Sequence, residues 1–240
     1  MTRPPIYLLS TGDLPGRTVE EAAERGVVMD VMSFIGMEYI DEITGMEKLI
    51  SQPLVAVFTS VNAVNAVRRW VRVRPGWRVY CMGGATYEAV VMLLGMVAVV
   101  GKAGSAAGLA EVIRDGETGG RGETGGGREI VFFCGDQRRE ELPSILRGAG
   151  FGVVEKVVYR TLLTPHKVER DYDGIAFFSP SAVESFFSVN EIAAGVPLFA
   201  IGATTAAAIR ARCTNPVITG GEPDKAMLIR KMTDHFLNKR

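Results

Sequence analysis

Six short stretches hold the residues best suited to chemistry. They are Ser10, Thr11 and Gly12; Thr59 and Ser60; Gly83, Gly84 and Thr86; Gly135, Asp136 and Gln137; Ser179 and Ser181; and Gly202, Thr204 and Thr205. Each follows a short apolar run and precedes a segment with helical patterning. Almost all are Gly, Ser or Thr, so their chemistry is hydrogen bonding by hydroxyls and exposed backbone N–H groups. A helix N-terminus also carries partial positive charge, and it accepts carboxylates or phosphates without needing a lysine. Ser and Thr ahead of a helix usually serve only as caps, so two uses compete at every position. Two matched sets at symmetric places favour binding for the group. Thr11, Ser60, Gly84, Thr86, Gly135, Ser179, Ser181, Thr204 and Thr205 are therefore the candidate substrate contacts.

Other chemistries lack their residues. Cys81, Cys134 and Cys213 form no CxxC pair, and an odd count suits a reducing cytosol. His166 and His235 stand far apart with no cysteine cluster near either, so no metal site is expected. No GxGxxG follows the first apolar run, which disfavours a dinucleotide enzyme. Lys and Arg together number 27, as do Asp and Glu, which gives no net pull toward nucleic acid or an anionic membrane. The longest nearly apolar stretch, 89–100, is too short to span a bilayer and reads as helix, a turn at Gly95 and strand. The run 6–9 near the N-terminus reads as a strand, with no signal peptide ahead of it.

The elements that must position these residues come in two copies. FTSVNAV from Phe58 and FFSPSAV from Phe177 stand 119 residues apart, and so do YCMGGATYEA from Tyr80 and FAIGATTAAA from Phe199. The same shift pairs Gly83 with Gly202, Thr86 with Thr205 and Leu109 with Leu228. A weaker echo, 123 residues apart, links YLLSTGD from Tyr7 to IVFFCGD from Ile130. Between the copies, 115–128 reads DGETGGRGETGGGR, which predicts a mobile surface connection.

Strands are predicted at 6–9, 27–34, 54–58, 78–82, 97–100, 129–133, 153–163, 174–178, 198–201 and 216–218. Helices are predicted at 62–73, 86–94, 138–147, 182–189 and 205–212. Such alternation implies an α/β chain, with parallel sheets flanked by helices in a flavodoxin- or Rossmann-like manner. Ligands of such sheets bind at the carboxyl ends of strands, where the six stretches lie.

The segment FFCGDQRREELPSILRGAGFGVVEKVVYRT from Phe132 resembles a signature of the uroporphyrinogen-III synthase family. FTSVNAV, FFSPSAV and FAIGATTAAAI resemble the family's other recurrent blocks in the same order, so the likeness covers most of the chain. It implies two α/β lobes joined by a two-stranded ladder. Residues 1–34 with 164–240 would form one lobe and 41–158 the other, with 35–40 and 159–163 crossing between them. The family closes hydroxymethylbilane, a linear tetrapyrrole with eight carboxylates, into uroporphyrinogen III. Water is lost and the last ring is inverted through a spiro intermediate. The pyrroles supply the electrons, so no cofactor or metal is implied. A monomer in the cytoplasm, acting on a small molecule and not on nucleic acid or membrane, is expected.

By this likeness Tyr159 matches a tyrosine proposed to assist departure of the hydroxyl. The residue alone leaves open a second role, packing in the linker ladder. Arg138 stands where it could meet a carboxylate, or could lie on a solvated helix face. The family often has Thr-Ser-Pro-Arg where this chain has Thr59, Ser60, Val61 and Asn62, so a cationic contact to a substrate carboxylate is missing there or supplied elsewhere; Asn62, at the arginine's position, is among the candidate substrate contacts. A racemase would need paired cysteines at equivalent positions, and none pair. A non-catalytic two-lobed binding or sensor protein for a small acid would share the fold without requiring Tyr159.

Overall fold

The computed structural model describes residues 4–118, 128–221 and 224–238. In chain order the strands are β1 Ile6–Ser10, β2 Val27–Val31, β3 Ile35–Tyr39, β4 Val55–Phe58, β5 Arg78–Met82, β6 Val99–Ala103, β7 Glu129–Gly135, β8 Gly152–Leu163, β9 Gly174–Phe177, β10 Leu198–Ala200 and β11 Val217–Thr219. The helices are α1 Gly16–Glu24, α2 Met46–Ser51, α3 Val61–Arg68, α4 Ala85–Leu94, α5 Ala106–Thr118, α6 Glu141–Gly148, α7 Pro180–Phe187, α8 Ala203–Arg210 and α9 Lys225–Leu237.

The chain divides into two compact units, Met1–Gly36 with Leu162–Arg240, and Met37–Thr161. The first is built on a sheet ordered β11-β10-β9-β1-β2, and the second on one ordered β3-β8-β7-β4-β5-β6. Setting aside β3, the two orders are the same once β7, β8, β4, β5 and β6 are matched with β1, β2, β9, β10 and β11. Both are the doubly wound, flavodoxin-like order, with a switch point where the order reverses. That point falls between β1 and β9 in one unit and between β7 and β4 in the other.

The repeat legible in the sequence is the cause. β4, α3 and α5 lie 119 residues before β9, α7 and α9, residue for residue. The contribution of each copy is split, because β1, α1 and β2 join the sheet of the later β9–β11, whereas β7, α6 and β8 join that of the earlier β4–β6. Both faces of the central strands are covered by helices, so these strands read as continuous apolar runs. β9, Gly-Ile-Ala-Phe, is buried at all four positions. In the second unit Ala56, Phe58, Val131 and Phe133 pack toward α3 and α4. Val57, Ile130, Phe132 and Cys134 pack toward α5 and α6. Burial pushes the Cys81 and Cys134 thiols up to about 11, which keeps both inert at neutral pH.

The expected surface connection fails over its first four residues. Residues 115–118 continue α5, and Glu117 is buried. Its carboxylate accepts a hydrogen bond from Tyr80 Oη at 2.7 Å and pairs with Arg78 at 3.0 Å. Burial, reinforced by that carboxylate, pushes the Tyr80 phenol up to about 12. Gly116 serves this contact, since a Cβ there would stand 2.2 Å from Tyr80 Oη. Residues 119–127 lie outside the described residues. Glu117→Ala would leave the buried Tyr80 hydroxyl without its acceptor, and a loss of about 2–3 kcal/mol is expected. Urea unfolding checks this, and an unchanged midpoint would make the contact incidental.

Other departures are local. The helix predicted over 62–73 ends at Arg68, where i−3 hydrogen bonds from Arg69 and Trp70 tighten the last turn ahead of Pro75. The strand predicted at 97–100 starts at Val99, because residues 96–98 form a 3₁₀ turn. The helix predicted from 138 starts at Glu141, leaving Arg138 in the preceding loop. α2 has too few residues to show a period, and the sequence pattern does not reveal it.

Candidate active site

The switch point of the second unit gathers Gly135, Ser60 and Tyr159, and the register of β8 explains why. β7 and β8 pair in step from Glu129 with Gly152 to Cys134 with Val157, and then Gly135 pairs with Tyr159. One extra residue is thus inserted at Val158, a β-bulge, and bulges re-aim side chains. In unbroken alternation Val158 and Tyr159 would face opposite sides of the sheet. Here both pack on the α3 side. The Tyr159 ring is thereby laid over Gly135, where an added Cβ would stand 2.4 Å from Tyr159 Cζ. A side chain at 135 and the ring cannot share that space.

From there Tyr159 Oη donates to Ser60 Oγ at 3.3 Å. Ser60, in extended conformation, caps α3 and accepts from Asn62 N at 3.1 Å. Asn62 thus supplies a backbone donor to the cap, and its side chain is half-buried. Asp136 fixes the backbone around the bulge. Its N–H donates to the Tyr159 carbonyl at 3.2 Å, and its Oδ1 accepts from Thr161 N at 3.0 Å. Burial pushes the Tyr159 phenol up, Cys134 and Asp136 add to this, and the Ser60 hydrogen bond opposes it. The phenol therefore keeps its proton at neutral pH and stays a donor.

Nearby, Gly84 precedes α4 with φ 64°, a left-handed conformation that favours glycine. Thr86, in the first turn, is buried. Thr205 repeats this in the first unit, at the first turn of α8, while Thr204 beside it is exposed. These are the two hydroxyls the 119-residue shift pairs. Ser179 caps α7, accepting from Ala182 N at 3.1 Å, and Ser181 lies half-buried in the first turn.

Two of the sequence-predicted residues are committed elsewhere. Thr11 is buried, and its Oγ1 donates to the Ala176 carbonyl at 2.9 Å, tying β1 to β9. Arg138 pairs with Glu155 and Glu140, which it shares with Arg147. Its hydrogen bond to Glu155 raises its pKa against the opposing effect of burial. Burial pushes the Glu155 carboxyl up, but the two guanidiniums outweigh it and hold the group low. Arg138 thus closes an ion-pair cluster instead of offering a free charge. Sequence reasoning missed the role of Asp136, although the Gly-Asp echo of Gly12-Asp13 in Gly135-Asp136 marks the place.

Among the described residues no three His, Cys, Asp or Glu side chains gather as a metal site would require. Nor is any helix among them long and apolar enough to cross a membrane.

The chain is similar in fold to two solved structures. One is the uroporphyrinogen-III synthetase of Helicobacter pylori, with a TM-score of 0.68 and 14% identity over 98% of this chain and 100% of that one. The other is a mutant uroporphyrinogen III synthase of the extremely thermophilic bacterium Thermus thermophilus, with a TM-score of 0.60 and 16% identity over the same shares. No curated protein matches the sequence. The family model of uroporphyrinogen-III synthase HemD matches residues 16–230, nine-tenths of the length, and the chain belongs to that family.

Proposed function

We propose that the protein is a cyclising hydro-lyase that converts hydroxymethylbilane to uroporphyrinogen III, with loss of water and inversion of the last pyrrole ring. The observation that carries this reading is the bulge that turns Tyr159 onto the switch point and holds its protonated hydroxyl against Ser60. The leaving group is a hydroxyl on a carbon activated by a pyrrole nitrogen. The pyrrole supplies the electron pair that expels it, so the protein need only stabilise the departing oxygen.

A phenol whose pKa lies above about 10 is too weak an acid to give up its proton before the C–O bond breaks. Tyr159 instead donates a hydrogen bond that strengthens as charge develops on that oxygen. Ser60 holds the phenol in place until substrate takes over as acceptor. Thr86 and Gly84, in the same unit as Tyr159, supply a hydroxyl and backbone donors for carboxylates, which fix the folded conformation of the substrate; Thr205, Thr204, Ser179 and Ser181 are the corresponding donors of the first unit. Holding that conformation is the larger part of the task, because closure without it gives the uninverted ring. The reading brings with it a cytoplasmic monomer that needs no cofactor.

The test is incubation with freshly prepared hydroxymethylbilane, followed by oxidation and chromatographic separation of the type III and type I porphyrins. Type III is expected to predominate. Type I alone, in the proportion formed without protein, would overturn the reading.

A further inference from the structure

The two switch points are built alike and furnished differently. Gly135 ends β7 under the Tyr159 phenol, and the matching glycine after β1 is Gly12. A Cβ on Gly12 would meet the Phe178 ring at 3.2 Å and Lys225 Nζ at 3.7 Å. Where one unit places a phenol, the other places a cation.

Lys225 reaches this point by a defined route. It opens α9, which Asp224 caps by accepting from Met227 N at 3.0 Å. α9 packs on α1, β9 and β10. The lysine ammonium lies 5.1 Å from the Phe178 ring centroid and donates to the Asp13 main-chain carbonyl at 2.9 Å. Ring and carbonyl orient the ammonium without neutralising it. The Asp224 carboxylate is spent on its cap, and no carboxylate among the described residues pairs with Lys225. Of the three ammonium donors, one is used on a carbonyl. The rest of this strand-end set, Ser179, Ser181, Thr204 and Thr205, is uncharged.

We propose that Lys225 binds a carboxylate of the substrate at the switch point of the first unit, as the charged contact that Arg138 does not provide. The assignment rests on the function proposed above. It predicts a binding contribution made equally in ground and transition states, which appears in KM and not in kcat.

The experiment compares wild type with Lys225→Met, Lys225→Gln and Lys225→Arg. It measures kcat, KM for hydroxymethylbilane at low and high salt, the ratio of type III to type I product, and thermal unfolding. In Met and Gln, KM is expected to rise about tenfold, since charge-assisted hydrogen bonds are the strong ones, with kcat nearly unchanged. The salt dependence of KM should shrink in both, and Arg should restore most of the affinity. Wild-type KM in Met or Gln, in a protein that still makes type III, would overturn the assignment and leave the function standing. A fall in unfolding temperature with KM unchanged would make Lys225 a strut between α9 and Asp13, which also overturns it. Wild-type protein yielding type I alone would remove the function and this assignment together.

Discussion

Tyr159→Phe is expected to lower kcat by about ten- to a hundredfold while leaving type III as the main product. The substitution keeps the ring over Gly135 and deletes only the hydroxyl that donates to Ser60. Positioned acid catalysis is typically worth about 10²–10⁴-fold, and a loss at or below the foot of that span is expected because the pyrrole itself drives departure. Stability should change little, because a 3.3 Å hydrogen bond between partly buried groups contributes modestly. The pH profile gives an independent readout. A rate that needs the protonated phenol holds through neutral pH and falls as pH rises through its pKa, which burial sets above the ordinary value near 10. In the Phe variant that alkaline limb should vanish. Thr86→Ala and Thr205→Ala serve as controls, removing the symmetric hydroxyls without touching the phenol. Wild-type kcat in Tyr159→Phe, beside impairment in either threonine variant, would leave a purely conformational catalyst.

What the sequence made legible follows from what periodic patterns can encode. The 119-residue shift located β4 and α3 against β9 and α7 because packing constrains every position of those elements at once, whereas of α5 and α9 it paired only Leu109 with Leu228 and no helix was predicted there. The strand-end hydroxyls were visible because turns into helices demand Gly, Ser and Thr wherever they occur. Three features escaped for physical reasons. The bulge at Val158 is a single-residue shift in pairing, and Val157, Val158 and Tyr159 all suit a strand on either face. Arg138 is neutralised by Glu155, which lies seventeen residues away and becomes a neighbour only through the pairing of β7 with β8. Glu117 sits among glycines whose composition reads as a loop, yet Gly116 is there to let the Tyr80 hydroxyl approach the helix. In each case a residue's meaning depends on one contact across the fold, and no window of sequence contains it.

The bulge carries the sharper consequence, which falls on a residue with no chemistry of its own. Gly135→Ala should lower kcat to within a few-fold of Tyr159→Phe. The new Cβ would stand 2.4 Å from Tyr159 Cζ and 2.8 Å from Oη, well inside van der Waals contact. Its neighbours are fixed, because Asp136 clamps the β8 backbone through the Tyr159 carbonyl and Thr161 N. The ring must therefore turn away from Ser60, and the hydroxyl leaves the position from which it acts. Overpacking of this kind typically costs about 1–3 kcal/mol, so the variant should fold but unfold at lower denaturant. The double variant separates the two effects. If Gly135 acts through Tyr159, adding Gly135→Ala to Tyr159→Phe should reduce kcat little further, because the hydroxyl it displaces is already gone. If the losses multiply instead, Gly135 touches substrate directly, through its own backbone, and the steric account fails. Wild-type kcat in Gly135→Ala alone would show that the ring finds another path to the same place, and the bulge would then be no more than a kink in β8.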